Sequence, residues 1–566
     1  MAPFTGHGVE RTLSMSIILL ALTLVLTAAL TGVASRFINW LPLPLMQIGT
    51  GALLALPFSP LQVPLHPGTF MLLFVPPLLF AEAWRFPQRE LMSLRHPIIA
   101  LAVGLVLFTV VLLGLFIHWL LPGLPPAVCF ALAAIVSPTD AVAVAAISGR
   151  LGMPARLMHI LDGESLMNDA SGLVALKFAV AAIMTGSFSI GQASLDFMLM
   201  TAIGVAVGTA LAFIFSTLRR LLLDKRGVES SIEIVLLMLV VPFATYLVAD
   251  RLGGSGILAA VAAGITINRT ELKRHAQSQT RMQLNHFWEM LTFLLNALVF
   301  IVLGLQLPNI IGGAISVSLR DSQGFTLGEL LLYVGAITAV LLVLRFFWIG
   351  GAIWLSRLSR RRRRAVQVPF STRVTSIGTL AGIRGTITLA AALSLPLALP
   401  DGSALPGREL VVFLATGVIL LTLLLGSLGL PLLLRGLDYS GENWRQEEIS
   451  EARQRAFQTA IRAIERWHEE AAERHTGELE RSVLTDTSTR MIGYYRNLMT
   501  IDDQRARSER HELDQRFSRQ ARLEALRAER HEYYRLRAAH RIDDDTLRRL
   551  VHELDLVEMA LTSRTQ

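Results

Sequence analysis

The chain has 566 residues, of which 52% are hydrophobic and only 17% charged, with a formal net charge of +8. Soluble domains average about 25% charged residues, so this deficit excludes an ordinary soluble globule and indicates a membrane class. The single cysteine, Cys129, excludes an intramolecular disulfide and a thiolate metal cluster, and its apolar setting makes it a small packing residue. The positive balance does not point to nucleic acid, because much of the excess arginine sits in short loops between apolar runs, where orientation in a bilayer explains it.

A helix crosses the hydrocarbon in about 20 residues. In chain order, apolar runs of roughly that length fall at 13–34, 41–57, 69–84, 98–121, 125–148, 155–184, 195–216, 230–249, 253–268, 287–307, 326–355, 374–399 and 409–434. The first follows no small-residue cleavage pattern and is expected to be retained. About thirteen spans are therefore predicted, after a short external N-terminus at 1–12.

The loops set the orientation. Alternate loops hold Arg85, Arg89 and Arg95; Arg150 and Arg156; Arg219, Arg220, Lys225 and Arg226; Arg269, Lys273, Arg274 and Arg281; and Arg357 with the run Arg360–Arg364. The loops between them, 122–124, 185–194, 308–325 and 400–408, are nearly bare of such charge. By the positive-inside rule the N-terminus is outside and the C-terminus cytoplasmic, as expected of an inner-membrane protein. The arginine run reads as a stop-transfer anchor at the inner face.

From residue 435 to 566 the pattern changes to soluble helix, with Arg and Glu interleaved over 446–475 and 505–541. Asp543–Asp545 before Thr546 reads as a helix N-terminus rather than a metal site. Leu547, Leu550, Val551, Leu554 and Val557 form one apolar stripe for a helical hairpin or partner helix. This segment is a cytoplasmic helical domain of regulatory or assembly type.

Ionisable groups near the bilayer midplane are costly and are functional candidates. Counting helical rise from the nearest inner loop puts Asp140 about 15 Å in, Asp169 about 20 Å, Glu164 about 12 Å, Arg345 about 18 Å and Arg384 about 16 Å. Five charged side chains from four spans thus converge on the layer where secondary transporters hold substrate. The fifth span reads Ser137-Pro138-Thr139-Asp140, and its proline frees carbonyls beside an acid, which suits a small hard cation. In the sixth, Glu164-Ser165-Leu-Met-Asn168-Asp169 puts Ser165 and Asp169 on one face. The twelfth reads Gly382-Ile-Arg384-Gly385, a second Gly-interrupted helix. Spans five and twelve occupy corresponding places in two inverted halves, 1–6 and 8–13, and paired broken helices point to a transport site.

Each residue also has a plainer reading. Asp169 and, more readily, Asp140 could be buried acids satisfied by backbone amides, with Thr139 and Asn168 orienting Asp140. Glu164 reads as neutralised by an arginine, for which Arg345 is the better placed, and Arg384 as support for the broken twelfth span. Lys177 reads as snorkelling to the outer face. His118 and His159 read as interfacial, and Glu82, three residues from Arg85, as a mouth residue or plain interfacial acid rather than a ligand.

At these residues the chain resembles the monovalent cation:proton antiporters, the branch of bacterial NhaP-type and animal NHE-type exchangers. The resemblance rests on Val75-Pro76-Pro77-Leu-Leu-Phe80, Ser137-Pro138-Thr139-Asp140-Ala-Val, Gly163-Glu164-Ser165-Leu-Met-Asn168-Asp169 and Gly382-Ile-Arg384-Gly385. It covers residues 12 to about 434 and is closest to the bacterial form with a long cytoplasmic tail. It implies a homodimer, with Asp169 alternately protonated and cation-loaded. It further implies that Asp140, Thr139, Ser165 and Asn168 shape the Na+ site and that Glu164 pairs with Arg345. Many members carry an acid directly after Pro-Pro-x-x-Phe; here Ala81 stands there, so no ion-coupling role passes to Glu82.

The expected architecture is an all-α polytopic membrane protein, 13–434, with broken crossing helices supported by Pro138, Gly382, Arg384 and Gly385, plus the helical tail. The expected activity is exchange of Na+ for H+ by competition at Asp169 with alternating access, serving pH and sodium balance. A single cycling acid gives one-for-one exchange, a proton also released by Asp140 makes the cycle carry net charge, and the resemblance implies the electroneutral form. Li+ and K+ stay open as substrates, and no cofactor is expected. A channel sharing the polar midplane, or a sensor acting through the tail, are the rival classes. A membrane enzyme has least support, since no zinc-helix motif, phosphate loop or nucleophile elbow is present.

Overall fold

The computed structural model describes residues 6–558 apart from 39–40, 56–66, 149–152, 154, 187–189, 223–230, 271–277, 321–325, 360–371, 397, 400–401, 404, 436–441, 475–476, 506–508, 540, 542–545, 548–549, 552 and 556. The Arg360–Arg364 run and the Asp543–Asp545 cap lie outside the described residues.

The protein is all-helical. Its membrane part comprises α1 (Gly6–Ala34), α2 (Leu43–Leu54), α3 (Pro67–Arg85), α4 (Arg95–Leu120), α5 (Pro126–Val136) and α6 (Ala141–Ser148). These are followed by α7 (Ala155–Thr185), α8 (Ile190–Leu222), α9 (Ser231–Arg251), α10 (Gly256–Arg269), α11 (Ser278–Arg320) and α12 (Leu327–Ser359). The last are α13 (Thr372–Leu380), α14 (Thr386–Leu393) and α15 (Arg408–Leu434). Among the described residues, 7 helices are long and apolar enough to cross a bilayer, or 8 when the bent pair α5 and α6 is taken as one span. Each of the other predicted runs also falls on a helix or helix pair, several of them short: Leu43–Leu54 and Gly256–Arg269 have only 12 and 14 residues.

Chain chemistry explains the two breaks. Pro138 lacks an amide hydrogen and cannot donate back into the preceding turn, so α5 ends at Val136 and α6 restarts at Ala141 with a bend of 44°. The stretch Ala381 to Gly385, with a glycine at each end of Ile383-Arg384, separates α13 from α14. The two breaks lie against each other: the Asp140 amide donates to the Ile383 carbonyl at 2.8 Å.

The main apolar core is built from α5, α7, α12 and α15, with Leu132, Ile135, Leu166, Ile337, Val411 and Leu414 essentially inaccessible. Cys129 is buried within it. Lys177 is exposed.

Contacts cluster into two compact units, Met1–Leu437 and Asp438–Gln566. The second holds the helices Glu442–Arg474, Glu478–Arg505 and Glu509–Ala538. The first two pack together, with Phe457 and Tyr495 rings 6.0 Å apart and His468 Nδ1 3.1 Å from Ser488 Oγ. The Arg530 guanidinium reaches Asp555 at 2.6 Å and Glu558 at 2.5 Å, beside the buried Leu554 of the apolar stripe. Those two carboxylates hold the guanidinium above its ordinary pKa.

Candidate cation site at two broken helices

Four elements bring the polar residues together: the α5–α6 break, the N-terminal half of α7, the middle of α12, and the α13–α14 break. Arg345 on α12 donates two hydrogen bonds to Glu164 on α7, to Oε1 and, at 2.8 Å, to Oε2. Both side chains are almost wholly buried, at 2% and 1% exposure, so neither charge could persist without the other. The third guanidinium donor, Nε, reaches the Gly378 carbonyl at 2.9 Å, tying the pair to the end of α13. The same arginine passes over Gly382, where a Cβ would stand 2.7 Å from its Cδ.

From Glu164 the network runs to the fifth span. Thr139 Oγ1 donates to Glu164 Oε1 at 3.3 Å, and Asn168 Nδ2 donates to Thr139 Oγ1 at 2.8 Å. Ser165 Oγ accepts from the Ala141 amide at 3.2 Å. Ser165, Asn168 and Thr139 are buried, so these links fix the break rigidly against α7. Asn168 Oδ1 is buried with no hydrogen-bond partner among the described residues.

The two aspartates differ. Asp140 Oδ1 accepts the amides of Val142 at 2.8 Å and Ala143 at 3.1 Å, the geometry of an N-cap on α6. Asp169 is 5% exposed and accepts no hydrogen bond from any described residue. A buried carboxylate without donors is unfavourable as a bare anion and calls for a proton or a cation.

Arg384 closes the crossing. Its Nε donates to the Val136 carbonyl at 2.6 Å, its guanidinium to Gly382 at 2.5 Å, and its amide to Thr422 Oγ1 at 3.2 Å. The side chain thus supplies a donor to the open C-terminal end of α5 and places a cation where that helix end is partially negative. Gly385 begins α14 hard against Asp140.

A small cavity of about 20 Å³, room for about one water, opens between these elements. Pro138, Thr139, Asp140, Ser165, Asp169 and Gly385 line it, so most of the residues singled out in the sequence meet at one place. Glu164, Arg345, Asn168, Gly382 and Arg384 do not line it and stand behind it as support.

Three polar lining residues escaped the sequence reading: Glu82 on α3, Asn296 on α11 and Thr388 on α14. Glu82, expected at the mouth or interface, lines the same cavity as the two aspartates. Counting residues from Arg85 measures depth along one helix and cannot register how far a cavity reaches sideways. Asn296 carried a usable signal, as the only polar side chain between Thr292 and Gln306.

Among the described residues no group of three or more His, Cys, Asp or Glu side chains could hold a metal ion as a resident. A cation here would be cargo, held by one or two carboxylates and neutral oxygens.

Comparison with known proteins gives the family. The family described as sodium/hydrogen exchanger, transmembrane, matches residues 22–436. YjcE of Escherichia coli (strain K12), an uncharacterised Na+/H+ exchanger, is 42% identical over 558 residues, 98% of this chain and 100% of that one. The sodium, potassium, lithium and rubidium/H+ antiporter of Bacillus pumilus is 41% identical over 80% of this chain and 66% of its own length. The solved structure of the sodium proton antiporter MjNhaP1 from Methanocaldococcus jannaschii shares the fold, with TM-score 0.54 at 19% identity over 75% of this chain and 99% of that one. With most of its membrane part matched by the family and a relative of this identity along nearly its whole length, the chain belongs to the sodium/hydrogen exchanger family.

Proposed function

We propose that this protein exchanges Na+ for H+ one for one across a bacterial inner membrane, by competition of the two ions for Asp169. The observation that carries the reading is that Asp169 is buried, faces the cavity and lacks any hydrogen-bond donor among the described residues. Such a group binds a proton or a partly dehydrated cation, and one occupant excludes the other. Exchange then follows if the loaded site faces each side in turn.

The surrounding chemistry supports a single cycling acid. Glu164 is committed to Arg345, and Asp140 to the amides of α6; of the two remaining cavity carboxylates, Asp169 and Glu82, Asp169 is the more buried and stands beside both breaks. One acid releasing one proton per cation gives electroneutral exchange. Asp140, Thr139 and Ser165 shape the cation's surroundings, and Asn168 orients Thr139. Alternating access would come from rocking of one half of the bundle against the other, the breaks moving as one piece because they are bonded to each other. The arginine-rich alternate loops of the sequence support a cytoplasmic C-terminus. The tail acts in regulation or in assembly of a homodimer.

The test is proton movement in everted vesicles with a pH-quenched dye. Sodium, lithium or potassium added in turn should reverse the quench for the native protein, and Asp169→Asn should be silent at equal abundance. Reversal by the Asp169→Asn protein would sink the assignment, and cation current without proton movement would favour a channel.

A further inference from the structure

The cavity beside the aspartates is too small to admit a hydrated ion. At about 20 Å³ it holds roughly one water-sized particle, so a cation enters only by exchanging water oxygens for protein oxygens. The carboxylates supply charge, which attracts every monovalent cation. Discrimination between cations depends on the number and spacing of the remaining neutral oxygens.

Few polar groups are left for that task. One Asp140 oxygen caps α6, Glu164 holds Arg345, and Thr139 Oγ1 is bonded to Glu164 and Asn168. Ser165 Oγ takes the Ala141 amide, so two neutral side chains lining the cavity remain uncommitted among the described residues. Asn296 stands in the span Met282–Gly313, about 21 Å along the helix from Met282. Its amide makes no hydrogen bond among the described residues, whereas the nearby Thr292 hydroxyl bonds back to the Trp288 carbonyl at 2.6 Å. Thr388, in the first turn of α14, is 2% exposed, and its hydroxyl likewise makes no hydrogen bond among the described residues. Unlike Thr375, Thr379 or Thr338, whose residues are also buried, Thr388 borders the cavity. A carboxamide and a hydroxyl left unpaired at mid-membrane depth are unfavourable unless something in the cavity satisfies them.

We propose that Asn296 and Thr388 are specificity residues, whose side-chain oxygens complete the shell of the transported cation and decide which monovalent cation fits. This rests on the reading of the cavity as the transport site. The two differ in mounting. Thr388 sits on α14, one arm of the second broken helix, while Asn296 sits on α11, outside the crossing.

The test compares native protein with Asn296→Ala, Thr388→Val and Asp169→Asn in everted vesicles, over concentration series of Na+, Li+ and K+. Asn296→Ala and Thr388→Val should each raise the apparent KM for the preferred cation about five- to tenfold. Vmax should stay within about twofold, and KM for at least one other cation should shift by less than about twofold, so that the ranking contracts or reverses. The proposal is overturned if all three KM values stay within twofold of native, or rise by one common factor, while Asp169→Asn is silent. Exchange by Asp169→Asn overturns the site itself, whatever the other variants do. Should Asn296→Ala fail to accumulate in the membrane, Asn296→Ser, which keeps one oxygen on a shorter arm, is read against the same ranking. Native KM values for all three cations in that variant also overturn the proposal, since the shorter arm moves the oxygen.

Discussion

Asp140 and Gly385 meet with no room between them: a Cβ at position 385 would stand 1.8 Å from Asp140 Oδ2. The contact places one carboxylate of the site directly on the backbone that starts α14. Gly385→Ala therefore forces either Asp140 or the twelfth span to move, at a cost of about 1–3 kcal/mol. The expected result is loss of cation-driven dequenching with protein still present in the membrane, and a lower midpoint of thermal unfolding in detergent. Native transport by this variant would show that the contact is not required.

The buried pair Glu164–Arg345 gives a signed stability test. Arg345→Met leaves Glu164 charged and unpaired in the interior and should cost about 3–5 kcal/mol. Adding Glu164→Gln removes the stranded charge, so the double variant should be more stable than Arg345→Met alone. A double-mutant cycle by detergent denaturation reads this, and additive effects would argue against a coupled pair.

Arg384 serves two carbonyls at once, Val136 and Gly382. A lysine keeps the charge but not the planar fork, so Arg384→Lys should lose at least one of these bonds. Each hydrogen bond involving a charged group contributes about 1.5–3 kcal/mol. A lowered unfolding midpoint together with transport reduced by about tenfold or more is expected, the factor that 1.4 kcal/mol represents.

Competition at one carboxylate fixes the sign of the pH dependence. As pH falls, more of the sites hold a proton, so the apparent KM for Na+ should rise, by up to about tenfold per pH unit on the acid side. A plot of log KM against pH with slope near −1 supports a single released proton. A slope near −2 would mean that a second acid, Asp140 or Glu82, also gives up its proton, and the cycle would then carry charge.

Much of this was legible in the residues themselves. Apolar run length located the helices, Pro138 and the Gly382–Gly385 pair located the breaks, and isolated charges at similar depth picked out Asp140, Glu164, Asp169, Arg345 and Arg384. These signals are local or one-dimensional. What could not be read is lateral: which helix faces which. Asp140 as a cap on α6, Arg384 reaching back to α5, and Glu82, Asn296 and Thr388 on the cavity wall all depend on the packing of elements far apart in sequence. The spacing of residues along one helix holds no information about the rotation of another.

The bond from Arg384 to the Val136 carbonyl spans 248 residues of chain. During synthesis, therefore, the break in the middle of the fifth span enters the bilayer long before its partner has been made. Until the twelfth span arrives, that carbonyl must be served by water or by another part of the chain, so the crossing is closed late in biogenesis. A nascent chain released just before residue 384 should remain open at this point and be cleared by membrane proteases faster than the whole protein, a difference that pulse-chase labelling measures.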